Sequence, residues 1–134
     1  MNQIDALFQK LVERGGSDLH ISSGRHPLIR ESGQMAALDW PVMRNTEIES
    51  VFFEFMPGRN REEFQETNDT DFAYEVPNMG FRLRCNVFRD RAGLGGVFRV
   101  IPSKIVTAEE LNLPKPITDL CYLTKGLVLV TGPT

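Results

Sequence analysis

Five arginines fall between Arg82 and Arg99 with a single acid, Asp90, among them. Arg82 and Arg84 are two apart, so on a strand they share one face. Arg99 falls on the next strand candidate, across a turn that contains Arg89 and Arg91. Guanidinium groups stay charged at any working pH and bind phosphate oxygens in forks. Gathered on one sheet surface, they repel unless an anion or a carboxylate lies between them. Two readings are open. One is a phosphate clamp, or arginine fingers reaching a neighbour's nucleotide. The other is solvent-facing strand polarity, paired with acids from the segment 47–75, which holds nine acids and two arginines. An acidic and a basic face on one small domain also suit head-to-tail contact between copies.

The second chemical signal is the stretch Lys125–Thr134, KGLVLVTGPT. A short apolar run bounded by glycines reads as a buried parallel strand. The turn after such a strand is where a phosphate-binding loop sits, with glycine first and lysine later. Gly132, Pro133 and Thr134 fit the opening of that loop. The expectation is a chain cut inside a nucleotide-binding loop.

Other groups carry less. Asp18 and His20 alternate on one strand face, but no nucleophile stands at a recognisable spacing, and a structural strand-edge role is expected. Gly93-x-Gly95-Gly96 reads as relief of backbone strain in a hairpin. Trp40 and the phenylalanines at helical spacing read as core. Cys85 and Cys121 sit in apolar surroundings with no paired-cysteine motif, so buried free thiols are expected. His20 and His26 have no cysteine nearby, and no metal site is expected.

The elements that position these residues are set by periodicity. Ile4, Leu7, Phe8, Leu11 and Val12 mark an amphipathic helix with Asn2 as cap, ended by Gly15-Gly16. Residues 17–22 alternate as a strand, with Leu19 and Ile21 on one face. Residues 27–30 and 34–38 flank Glu31-Ser32-Gly33 as a hairpin. Asn45 or Thr46 opens a second helix whose stripe is Ile48, Val51, Phe52 and Phe55, with Pro57-Gly58 as its stop. Residues 59–66 form a more exposed helix anchored by Phe64. Strands come next at 70–76, 81–88 and 96–101. The fold class is α+β, helices packed on a mostly antiparallel sheet. Residues 1–101 are one domain and 102–116 a linker, with a capping-box signature at Thr107-Ala108-Glu109-Glu110. A helix at 116–123 and a strand at 127–131 begin a second domain at 117–134.

The 134 residues, 41% hydrophobic and 25% charged, suit a globular domain with a packed core. No apolar run reaches the length of a membrane-spanning helix, and the first residues lack a signal-peptide core. A net charge of −3 argues against general nucleic-acid binding.

Jointly, these pieces resemble a known family. Gly16-Ser17-Asp18-Leu19-His20, then Arg82-x-Arg84-x-Asn86, then Val97-Phe98-Arg99, then GLVLVTGPT from Gly126 are similar to landmarks of the type II/type IV secretion ATPases. Within that family the likeness is to the retraction motors of twitching motility, and it covers the whole chain. Leu123-Thr124-Lys125 departs mildly, standing where many members have proline and arginine before the glycine. The resemblance implies a PAS-like N-terminal domain over 1–101, and a RecA-like ATPase domain that starts at 117–134. In this reading Arg84 and Arg99 contact ATP phosphates, and Gly132, Pro133 and Thr134 open Walker A. It further implies ATP and Mg2+ in the intact protein, with neither bound by the fragment alone and no catalytic residue in it. The implied partners are five further copies in a homo-hexamer and the pilus base machinery. The implied place is the cytoplasm, peripheral to the inner membrane without insertion into it. Two alternatives stay open: an assembly or secretion ATPase of the PilB/GspE kind, and a free-standing PAS-like sensing or interaction module.

Overall fold

The computed structural model describes residues 2–102 and 106–132. The chain divides into two compact units, Met1–Ser103 and Lys104–Thr134. In the first, α1 (Gln3–Glu13) precedes β1 (Asp18–Ser22) and the hairpin β2 (Leu28–Glu31) and β3 (Gln34–Ala37). Then come α2 (Asn45–Phe55), α3 (Gly58–Thr67) and three long strands, β4 (Asp69–Glu75), β5 (Arg82–Asp90) and β6 (Gly93–Ile101). The six strands make one sheet in the order β3-β2-β1-β6-β5-β4. Every neighbouring pair is antiparallel. This is the expected α+β class.

Alternation divides the sheet into two faces. Leu19, Ile21, Ile29, Leu83, Cys85, Val87 and Phe98 are buried and pack with Ile4, Leu7, Phe8 and Leu11 of α1. Ile48, Val51, Phe52 and Phe55 of α2 complete that core. Rings mesh at its centre, Phe8 against Phe98 with centroids 5.2 Å apart and Phe52 against Phe98 at 5.5 Å. Edge-on stacking of this kind adds to the area buried. Phe64 anchors α3 as expected, at 1% exposure. Val12, expected on the stripe of α1, is instead exposed. Trp40, expected in the core, is only partly buried.

Asn45 opens α2 as expected, with Arg44 at the cap position and no side-chain bond to the helix end. The carboxamide Oδ1 of Asn45 instead accepts the Leu94 N–H at 2.8 Å, which ties the start of α2 to β6. Pro57-Gly58 follows the end of α2 as expected, and Gly58 already begins α3. The glycine cluster lies inside β6 and is there for packing. Gly93 has φ +127°, and a Cβ on it would run into the Asn45 carboxamide. A Cβ on Gly96 would sit 2.6 Å from Phe98 Cζ and 3.0 Å from Phe52 Cζ.

The second unit is small. Thr107 and Glu110 exchange the two capping-box bonds, at 3.0 and 3.2 Å. Residues 108–112 run as turns, not as the short helix expected there. α4 (Lys115–Asp119) and a single 3-10 turn, Leu120–Tyr122, occupy the next expected helix. Residues 127–131 are not a strand. Leu127, Leu129 and Val130 are more than three-quarters exposed. A buried parallel strand needs a neighbour to take its backbone bonds, and the described residues supply none. Cys121 is exposed, against expectation, whereas Cys85 is buried.

Candidate functional site

The outer face of the sheet carries the polar residues that sequence reasoning singled out. The register aligns them in rows. One row runs Arg30, Asp18, Arg99, Arg84, Ala73 across β2, β1, β6, β5 and β4. The next runs Leu28, His20, Val97, Asn86, Asp71 across the same strands. Arg84 and Arg99 are therefore direct cross-strand partners. Their side chains are 68% and 66% exposed.

Two like charges in facing positions repel, and each is offset by a carboxylate on its far side. Arg99 Nε donates to Asp18 Oδ1 at 2.7 Å. Arg84 Nε donates to Asp71 Oδ1 at 3.3 Å. The order across the surface is acid, base, base, acid. Asp71 comes from the acidic segment, as the surface-polarity reading requires; Asp18 does not. Asn86 Nδ2 donates to Asp69 Oδ1 at 3.0 Å and Asp71 Oδ2 at 3.3 Å. A cleft of about 400 Å³ opens here, lined by Asp71, Arg84, Asn86, Val97 and Arg99.

Asp18 is the best-held group of the set. Its side chain is 4% exposed. Oδ2 accepts the Ser17 hydroxyl at 2.7 Å, and Arg30 Nε stands 3.6 Å from the same oxygen. Burial pushes its pKa up, but the Ser17 and Arg99 hydrogen bonds and the Arg99 charge outweigh burial, and the net shift is downward. Asp18 does not lie at a strand edge: β1 runs between β2 and β6 in the sheet's interior. Beside it, His20 has its pKa lowered by burial, with Arg30 and Arg99 adding to this against Asp18. Its Nε2 is buried without a hydrogen-bond partner.

The structure separates the other arginines. Arg82 shares the outer face, opposite Glu75 and Ile101. Arg89 belongs to the other side: its Nε donates to Asn68 Oδ1 at 3.1 Å and its guanidinium lies 5.6 Å over the Phe64 ring. Gly132 is exposed and in no regular element. Pro133 and Thr134 lie outside the described residues. Sequence reasoning missed Asp71 and Asn86 as cleft residues, and missed Asp18 as the partner of Arg99. Strand alternation placed Asp18 on a face without saying which strand would lie beside it.

No family model matches the chain. PilT of Pseudomonas aeruginosa, a type IV pilus retraction ATPase, is 39% identical over 98% of this chain. A twitching motility protein of Neisseria gonorrhoeae is 36% identical over 81% of it. In structure, the pilus retraction motor PilT with bound ADP superposes with a TM-score of 0.79 at 30% identity, covering 99% of the chain. The chain is similar in sequence and fold to the N-terminal part of PilT. It spans only 38% of the Pseudomonas protein and 38% of the ADP-bound structure. PilU of Pseudomonas aeruginosa is 30% identical over 98% of the PilT-like chain. The ATPase DotB of Legionella pneumophila, at 19% identity and a TM-score of 0.66, shares the fold.

Proposed function

We propose that this domain serves a hexameric ATPase motor that retracts type IV pili, and that its outer sheet face meets the phosphates of ATP. The observation that carries the reading is the facing pair Arg84 and Arg99 beside an open cleft. Both guanidiniums are bonded to carboxylates through Nε, which leaves the Nη groups for phosphate oxygens. The likeness to an ADP-bound retraction motor supports the same reading. The inner face is filled by stacked rings, so a polar ligand is accommodated on the outer one.

In the intact protein, Gly132, Pro133 and Thr134 would open the loop that wraps the phosphates, with Mg2+ alongside. The motor would work in the cytoplasm at the inner-membrane base of the pilus, each domain packing on a neighbouring subunit. The lower identity to PilU favours the retraction motor over its companion. In this reading the domain supplies charge to the transition state and does not itself hydrolyse ATP.

The test is ATP turnover by the full-length protein carrying Arg84→Ala or Arg99→Ala. Each is expected to lower turnover by on the order of a hundredfold, as loss of one preorganised donor does. Turnover at the wild-type rate in both variants would exclude the phosphate role.

A further inference from the structure

The two arginines are not equivalent. Arg84 is tied to Asp71, a carboxylate half exposed to water, at 3.3 Å. Arg99 is tied to Asp18, a carboxylate sealed from water and bonded at 2.7 Å. A long side chain on an exposed strand surrenders much rotamer freedom when a ligand fixes it. For Arg84 that loss falls at the moment of binding. For Arg99 much of it has already been met by the fold, because a buried acceptor holds the guanidinium at Nε.

Asp18 is in turn held from three directions: the Ser17 hydroxyl at 2.7 Å, Arg30 at 3.6 Å, and β1's place inside the sheet. The Nε–H of Arg99 is consumed by the pair, and among the described residues nothing takes the four N–H donors of Nη1 and Nη2. We infer that Asp18 is a positioning residue: it holds Arg99 at Nε so that the Nη fork is preset for a phosphate oxygen. Neutralising the buried Asp18 charge for stability alone would not require this division of donors. The inference rests on the phosphate reading proposed above.

The experiment is a double-mutant cycle on kcat and KM for ATP in the full-length protein. Asp18→Ala is expected to lower kcat by roughly tenfold to a hundredfold, the scale of lost alignment, without raising KM in proportion. Asp18→Asn keeps an oxygen to accept Arg99 Nε–H and is expected to recover part of that loss. Ser17→Ala, which removes the hydroxyl orienting the carboxylate, is expected to give a smaller loss. In an Arg99→Ala background none of these changes should lower the rate further, because Asp18 acts only through Arg99. Losses that multiply in that background overturn the inference, as does an Asp18→Ala enzyme that is faster than wild type, which would mark a charge mask. Should Asp18→Ala not fold, the Ser17→Ala and Arg99→Ala cycle decides the same question. Arg99→Ala at the wild-type rate would overturn the inference, and the same result for Arg84→Ala as well would sink the phosphate reading itself.

Discussion

Gly96→Ala adds one methyl group at the point where the sheet meets its ring cluster. The new Cβ would sit 2.6 Å from Phe98 Cζ, 2.9 Å from Phe98 Cε2 and 3.0 Å from Phe52 Cζ. Ordinary contact between carbons is near 3.5–4.0 Å, so about 1 Å of relief is required. Neither ring has room to give it. Phe98 and Phe52 are fully buried. They are braced by Phe8 and Phe55 at centroid distances of 5.2 and 6.0 Å. Overpacking of a filled core costs about 1–3 kcal/mol. For a unit of this size each kcal/mol lowers Tm by roughly 4–8 °C, so a fall between about 4 and 24 °C is expected. Gly58→Ala is the matched control: its Cβ meets nothing within 4 Å, and α3 begins there. Replacing that glycine stabilises by up to about 1 kcal/mol. Thermal unfolding of the 134-residue chain, monitored by circular dichroism, measures both. Equal Tm values for Gly96→Ala and wild type would refute the packing argument, as would an equal fall in both variants.

Two titrations test the burial pattern independently. Burial and then the Asp71 charge push the Cys85 thiol up to about 12, while Cys121 is exposed. Ellman's reagent at pH 8 is therefore expected to label one thiol at once and the second only on unfolding; rapid release of two equivalents would refute this. Burial, then the Asp5 hydrogen bond, raise the Tyr74 hydroxyl to about 12. That hydroxyl donates to Asp5 Oδ1 at 3.0 Å. Tyr122, the only other tyrosine, is 84% exposed. Up to pH 11 the phenolate absorbance of Tyr74 should be largely missing from the folded chain and should appear on unfolding in denaturant. The raised folded value means that Tyr74 favours the fold below its ordinary pKa of 10.0, and that this contribution fades as pH rises toward 12.

Much of this arrangement is local and therefore legible in the residues. The 3.6-residue stripes gave α1 and α2, and alternation gave every strand of the first unit, with Leu19 and Ile21 on the buried face of β1. Parity even separates Arg89 from Arg84, since an odd position on that strand faces the other way. What sequence could not supply is which strand lies beside which. Asp18 and Arg99 are 81 residues apart, and nothing in either neighbourhood names the other. The same gap explains why Asp18 read as an edge residue, and why the glycines of β6 read as turn residues. Gly96 is there for the Phe98 ring two residues on in β6 and the Phe52 ring of α2, and Gly93 for the Asn45 carboxamide. The run from Leu127 is a different case: it reads as one strand of a parallel sheet, and without that sheet it has no native partner among the described residues. Its composition states that it should be buried, and the described residues contain no surface that buries it.

The order of strands also sets the order of assembly. β5 and β6 are joined by a turn of two residues and can zip from that turn outward. Their pairing brings Arg84 and Arg99 together before either has been neutralised from the far side. β1 must then close a loop spanning most of the domain to deliver Asp18, and such long closures are the slow ones. The Arg99 side of that like-charge contact thus stays unrelieved until β1 docks and delivers Asp18, whereas Asp71 of the nearby β4 serves Arg84. A chain emerging from the ribosome meets the problem in reverse: β1 is made first, and its carboxylate waits for Arg99 until some eighty more residues have been added.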